Sequence, residues 1–208
     1  MPQALHPSNL FSGTFLPSWA ISRIVPFATS AIARLPGKRV RFPHVQRVEI
    51  RPAKTADAGS ILAIYNHEVQ TSTNTLDLTP RTLDQQQQYL EDRAGAFAVL
   101  VAVDGTDVVG FGSLSPYRDR PGYRTSVEDS VYVARDCHGR GIGASLLAGL
   151  IDTATERGFH TVLARVVGPQ VPSLKLHEAH GFTTIGIERE VARKFGRWHD
   201  VALLQRML

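Results

Sequence analysis

The most constraining feature of the chain is a run of alternate glycines, His138-Gly139-Arg140-Gly141-Ile142-Gly143-Ala144, set between a strand pattern and a helix pattern. Ser126 to Val133 reads as a strand; Leu146, Leu147, Leu150, Ile151 and Ala154 fall on one helical face, which Gly158 ends. A turn of this kind curls the backbone until successive N–H groups point into one concavity. At a helix N-terminus, with its partial positive charge, that concavity is an anion site. Arg140 adds a full charge for a phosphate. Two phosphate motifs do not fit. A P-loop ends in Gly-Lys-Ser/Thr, and here Gly143 is followed by Ala144. A dinucleotide fingerprint needs two residues before its third glycine and an early strand–helix–strand unit. A tight strand-to-helix connection with no ligand remains the other reading of the turn alone.

Around this turn the pattern is regular. Val48 to Pro52 alternates and stops at proline, as an edge strand does. Thr55 can cap a helix carrying Ala58, Ile61, Leu62, Ile64, Tyr65 and Val69 at helical spacing. Thr79-Pro80 opens a more polar helix reaching about Arg93. Phe97 to Val103 and Val108 to Leu114 form a hairpin through Asp104-Gly105. After the polar loop Ser115 to Arg124 come the strand and turn described above. His160 to Val167 is a strand, Pro172 to His180 a short helix, and Gly181 to Val191 and Val201 to Leu208 two last strands. The order β-α-α-β-β-β-α-β-α-β-β predicts an α/β fold, a mixed central sheet with helices on both faces.

With 208 residues, 43% hydrophobic and 20% charged, the chain suits one globular domain. Its net charge of +4 is misleading. Arg23, Arg34, Lys38, Arg39, Arg41 and Arg47 precede the first acidic residue; with these six set aside, 17 basic residues face 19 acidic ones. The positive charge belongs to a leader and not to a binding face, which argues against nucleic acid as a partner. Residues 1–46 read as a basic N-terminal extension, either a disordered arm, an organelle transit peptide or sequence upstream of the true start; residues 47–208 form the domain. The apolar stretch Leu10 to Leu35 is broken by Pro17, Arg23 and Pro26, so no membrane span is expected. One cysteine, Cys137, excludes an internal disulfide and fits a reducing compartment, the cytoplasm. No His/Cys cluster predicts a metal site.

Four segments carry a resemblance that runs from about Val48 to Leu208. They are Ile64-Tyr65-Asn66, Thr125 to Val133, Leu176-His177-Glu178 with Gly181-Phe182, and Lys194-Phe195-Gly196-Arg197-Trp198 with Asp200. Together they resemble the GNAT N-acetyltransferases, and most of all the phosphinothricin and methionine sulfoximine N-acetyltransferase branch. The phosphate turn resembles that family's Gln/Arg-x-x-Gly-x-Gly/Ala pattern, with His138 in the first position. The resemblance implies the GNAT fold with a mostly antiparallel sheet, acetyl-CoA as co-substrate, no metal, a small-molecule amine as acceptor, and a homodimer. It implies that His138, Gly139, Arg140, Gly141, Ile142, Gly143 and Ala144 hold the CoA diphosphate. The family's Asn that touches CoA is replaced by Gln170, on a longer stem.

An amine must lose its proton before attacking a thioester, and a nearby base contributes about 10²–10⁴-fold. Glu128 is the candidate. The pattern alone equally allows an outward-facing strand glutamate; the resemblance assigns the base to this position, and Asp129, in opposite strand phase, cannot share the cleft. The resemblance also implies that backbone groups of Val131, Tyr132 and Val133 pair with the pantetheine arm and supply an oxyanion donor. His177 stands where many relatives have a tyrosine that protonates the leaving thiolate; the other reading is a packed helix histidine. For an acceptor carboxylate the candidates are Arg124, with Gly122 and Tyr123 beside it, and Lys194 and Arg197, which otherwise form a solvated basic turn. The expected function is acetyl transfer to the amine of a free amino acid or analogue. Acetylation of a protein N-terminus or lysine is the runner-up. The departures at His138 and Gln170 also leave room for a CoA-binding module without turnover.

Overall fold

The computed structural model describes residues 48–168 and 170–208. The predicted extension, residues 1–46, lies outside them. Seven strands form one sheet: β1 (Glu49–Pro52), β2 (Val99–Asp104), β3 (Asp107–Pro116), β4 (Ser126–Val133), β5 (Thr161–Val167), β6 (Thr183–Lys194) and β7 (Arg197–Met207). Four helices are α1 (Ala58–Thr71), α2 (Leu83–Glu91), α3 (Ile142–Glu156) and α4 (Val171–Ala179). The sheet order is β1-β2-β3-β4-β5-β7-β6. Only β4 and β5 run parallel; every other pair is antiparallel.

The predicted order of elements holds; two helix starts move. The helix placed after Thr55 begins at Ala58, behind a 3-10 turn. There the side chain of Asp57 accepts from the Lys54 N–H at 2.7 Å and pairs with Arg51, so Asp57 and not Thr55 fixes the entry. The second helix starts later than Pro80. Thr82 accepts from the Gln85 N–H and Gln85 reaches back to the Thr82 N–H, a capping box that specifies the start at Leu83.

Two apolar layers sandwich the sheet. On one face α3 inserts Ile142, Leu146, Leu147, Leu150 and Ile151 against Leu114, Val127 and Val162, with Leu174 and Leu176 of α4 beside them. Burying those five side chains contributes on the order of 10 kcal/mol gross, before chain entropy is subtracted. Gly112 lets α3 come this close: a Cβ there would stand 2.9 Å from Leu150 Cδ1. On the other face α1 and α2 cover the sheet through Ile61, Tyr65, Val69, Tyr89 and Leu90 against Val101 and Phe111. Alternation along β4 therefore sends Val127, Asp129, Val131 and Val133 to the α3/α4 face, and Ser126, Glu128, Ser130 and Tyr132 to the α1/α2 face.

Beyond β5 the β6–β7 ribbon overhangs. β7 pairs with β5 only from Val201 to Met207, while its first residues pair with β6 alone. The ribbon's tip, Lys194-Phe195-Gly196-Arg197, is a two-residue hairpin turn with both central residues left-handed (Phe195 φ 50°, Gly196 φ 74°).

Candidate active site

A gap in the middle of the sheet organises the site. β4 and β5 pair only over Ser126–Glu128 against Thr161–Leu163. Past that point β4 continues with β3, and β5 turns away with β7. Parallel strands that part leave backbone groups without a ladder. The Ala134 N–H donates to Val109 O at 2.9 Å. Polar groups of an antiparallel strand alternate between its neighbours, so β3 takes those of Tyr132, Ser130 and Glu128. Those of Val131 and Val133 face the gap. The His138 ring agrees with this orientation, its Nε2 lying 2.9 Å from Val133 O.

Of the three strand residues expected to meet the cofactor, Val131 and Val133 stand where a pantetheine arm could add as a strand. Tyr132 does not. Its backbone belongs to β3, and its ring is packed between Phe111 (stacked, 5.1 Å) and Tyr65 (edge-on, 5.3 Å). It is half-buried and packs against the core under α1.

At the end of β4 the glycine turn leads into α3. Gly139 and Gly141 adopt φ of 75° and 77°, the left-handed region that side-chain-bearing residues avoid. Gly141 is the N-cap of α3, and the first intrahelical bond is Ser145 N–H to Gly141 O. The amides of Ile142, Gly143 and Ala144 are consequently free of intrahelical acceptors. The Ile142 side chain is core, so only its backbone serves the site. Gly143 packs near Val131 and Val133, which joins the turn to the strand edge. Arg140, expected to meet a phosphate, donates to Asp104 Oδ2 at 2.6 Å; it would have to exchange that partner. Left-handed glycines, free helix amides and unladdered strand groups, continuous along one groove, fit a diphosphate followed by a pantetheine arm.

Glu128 lies at the fork itself, on the α1/α2 face. Burial pushes its carboxyl pKa up, with smaller upward contributions from Asp129 and Glu188 and an opposing one from Arg165. A carboxylate so shifted is a better base near neutral pH than an ordinary glutamate. Its register partner on β3 is Ser115, which accepts from Arg93 Nε and Nη2 at 3.2 and 3.1 Å. One step along, Tyr89 OH and Ser113 Oγ lie 2.7 Å apart. Arg81 stacks between the Tyr65 and Tyr89 rings at 3.8 and 4.5 Å, beside a hollow of about 480 Å³ that Arg93 also lines. These groups escaped the sequence reading. The available signal was Ser113 and Ser115, hydroxyls in the inward phase of an apolar strand.

His177 takes the packed alternative. It is 5% exposed and sits on the α3/α4 face, opposite Glu128. Its Nε2 lies 3.1 Å from Asp129 Oδ2 and its Nδ1 2.8 Å from Ser173 O, while Phe182 meets it edge-on at 5.0 Å. Both ring nitrogens are engaged, so the expectation of a proton donor to the departing thiolate gains nothing from this placement. Burial lowers its pKa, but the hydrogen bond and charge of Asp129 and the Ser173 carbonyl outweigh that and raise it overall.

The predicted carboxylate clamp is dispersed. Lys194 is 2% exposed, and its Nζ donates to Thr75 O at 2.8 Å. It is a strut from the ribbon tip to the α1–α2 connection, neither solvated nor open to a substrate; burial lowers its pKa. Arg197 is exposed at the same tip. Gly122, Tyr123 and Arg124 occupy an exposed turn before β4, at the end of the strand away from the fork. Gln170 donates to Thr73 Oγ1 at 3.3 Å. Asn66 explains part of the Ile64-Tyr65-Asn66 motif: its amide holds both Arg81 O (2.9 Å) and the Arg81 N–H (2.8 Å), fixing the connection over the cleft. Among the described residues no group of His, Cys, Asp and Glu is arranged to hold a metal ion.

A seven-stranded sheet splayed at one parallel pair, with an anion-binding turn at the end of the splayed strand, defines an acyl-CoA-dependent acyltransferase architecture. The chain belongs to the GNAT acetyltransferase family, whose model matches residues 61–182. It is 39% identical over 158 residues to the L-methionine sulfoximine/L-methionine sulfone acetyltransferase of Pseudomonas aeruginosa, covering 75% of this chain and 92% of that one. Among solved structures, a phosphinothricin acetyltransferase from Sinorhizobium meliloti in complex with acetyl-CoA superposes with a TM-score of 0.75 at 34% identity, covering 77% and 88% of the two chains. A ribosomal-protein-alanine N-acetyltransferase from Brucella melitensis gives a TM-score of 0.76 at 41% identity, covering 77% and 99%.

Proposed function

We propose that the protein transfers the acetyl group of acetyl-CoA directly to the amine of a free amino acid or analogue, such as methionine sulfoximine or phosphinothricin, with Glu128 as the general base. The observation that carries this reading is the position of Glu128, a half-buried carboxylate with raised pKa at the fork where the strand edge of Val131 and Val133 opens. Acetyl-CoA supplies an activated acyl carbon; the chain does the rest. The glycine turn and α3 amides hold the diphosphate, and the edge of β4 aligns the arm. Glu128 takes the ammonium proton, directly or through a water, so that the nitrogen lone pair can form the new C–N bond as the C–S bond breaks. A gap-facing N–H at Val131 or Val133 offers a hydrogen bond to the developing oxyanion, a contact whose loss typically costs about 10²–10³ in rate. No acid is assigned to the thiolate; its proton can come from water.

The test is release of free CoA from acetyl-CoA and a panel of amino acids. Turnover on free amino acids that Glu128→Gln lowers by about 10²–10⁴ supports the reading. The name of the Brucella relative favours a second reading, acetylation of a protein N-terminus; turnover confined to peptides would establish it. Binding of CoA without release would identify a non-catalytic module. We further infer a homodimer, supported by exposed Ile185, Ile187, Val191, Phe195 and Trp198 on the β6–β7 ribbon. A reducing compartment such as the cytoplasm suits the single buried cysteine.

A further inference from the structure

Four cations other than the expected ones stand toward the acceptor face. Arg81 is held between the Tyr65 and Tyr89 rings and pairs with Asp77 at 3.5 Å. All three nitrogens of Arg93 have partners: two donate to Ser115 Oγ and the third to Tyr89 O, and the group stacks on the Tyr89 ring at 3.6 Å. Arg118 hangs on an exposed loop over the Tyr117 ring. Arg165 differs from these. It projects from β5, a strand paired along its whole length with β7. It stands two residues beyond Leu163, the register partner of Glu128, so it shares Glu128's face and lies on the opposite bank of the gap. One nitrogen, Nη2, donates to Glu188 Oε2 of β6 at 2.6 Å, and 41% of the side chain is exposed. Its charge is felt at Glu128, where it opposes the effect of burial.

We infer that Arg165, braced by Glu188, binds the α-carboxylate of the acceptor while Glu128 receives the proton of its α-ammonium. This deepens the proposed function and rests on it. A zwitterionic amino acid carries its two charges on adjacent carbons, and the site presents the complementary pair, an anion on β4 and a cation on β5. Strand residues hold such a pair more rigidly than loop residues do, which favours Arg165 over Arg118 and Arg124. A guanidinium with one nitrogen tied to Glu188 still has donors for a carboxylate. The Glu188 bond keeps the arginine from collapsing onto Glu128, which would cancel the base.

The experiment compares L-methionine sulfone with its α-carboxamide, which keeps the amine and side chain and lacks the anion. In Arg165→Met the KM for the acid is expected to rise about 10–100-fold, with the KM for acetyl-CoA unchanged and turnover of the carboxamide close to that of wild type when each protein is read on the alkaline plateau of its pH profile, since loss of the cation lets the Glu128 pKa rise further. Acid and carboxamide falling together, or an acid KM within twofold of wild type, overturns the assignment. Should Arg165→Met not fold, Arg165→Lys reads the same acid-to-amide ratio, which is expected to fall because a point charge loses the fork geometry; an unchanged ratio counts against the assignment. Failure of the parent reading looks different: wild-type protein then turns over neither compound. Turnover of both by wild type and an unselective Arg165 variant removes only the role of Arg165.

Discussion

Glu128 couples function to an instability that can be measured. Its pKa is raised in the folded state by burial, so folding holds its proton more tightly than the unfolded chain does. Stability on this account is greatest below the ordinary glutamate value of about 4.3 and declines as pH rises through the folded pKa. Glu128→Gln removes that decline, and its melting temperature at pH 7 is expected to exceed that of wild type even as activity collapses. The acid limb of the kcat/KM profile should have its midpoint above about 4.3; a midpoint at or below that value excludes Glu128 as the base. His177 behaves with the opposite logic. Its raised pKa means that the Asp129 pair contributes fully below the unfolded value of about 6.5 and is lost as pH rises through the folded one. A melting temperature that falls over that interval in wild type, and does not in His177→Gln, is the expected result. His177→Ala leaves Asp129 buried without its partner and should cost about 3–5 kcal/mol in urea unfolding, with kcat of the folded fraction within about threefold of wild type. A large loss of kcat at unchanged stability would return His177 to the role of acid.

Elements were more legible in the sequence than the sites they carry. The strand β4 and helix α3 were readable because their apolar periods of two and 3.6 meet at an alternate-glycine turn, a local signal. That Glu128 and Asp129 lie in opposite phases was readable too, but the pattern alone allowed an outward-facing glutamate, and only the family resemblance placed Glu128 in the site. The positions of Thr55 and Pro80 misled because helix starts depend on which side chain reaches which backbone group, and Asp57 and Thr82 won that competition. Tertiary partners were out of reach: the Asp129–His177 pair spans 48 residues and the Lys194–Thr75 bond 119. The same basic turn is compatible with a clamp, a solvated tip or a buried strut until the ribbon's fold is known. The glycine turn carries its own prediction. A Cβ on Gly141 would meet nothing within 4 Å, so Gly141→Ala is penalised by its φ of 77° alone. The expected cost is about 1–2 kcal/mol of stability; if the turn relaxes instead, calorimetry should show acetyl-CoA binding weakened by about tenfold. Unchanged stability and binding together would mean that the turn does not need its left-handed residue.

Among the described residues, the ribbon bears the bulkiest exposed apolar side chains, Phe195 at 56% and Trp198 at 60%. Phe195 also occupies a left-handed position that costs a non-glycine residue about 1–3 kcal/mol. Sedimentation is expected to show a dimer, and the double variant Ile187→Lys with Trp198→Glu a monomer; a wild-type monomer at micromolar concentration removes the dimer reading. The Lys194 strut has a further consequence, for the order of assembly. It ties the ribbon tip to the connection after α1, and β7 alone completes the free side of β5. A chain still lacking its last residues therefore presents β5 with an unclaimed border and leaves Arg165 without the strand that flanks it. Until β7 is in place, that border is open to pairing with a neighbouring edge, the hazard an unpaired strand carries.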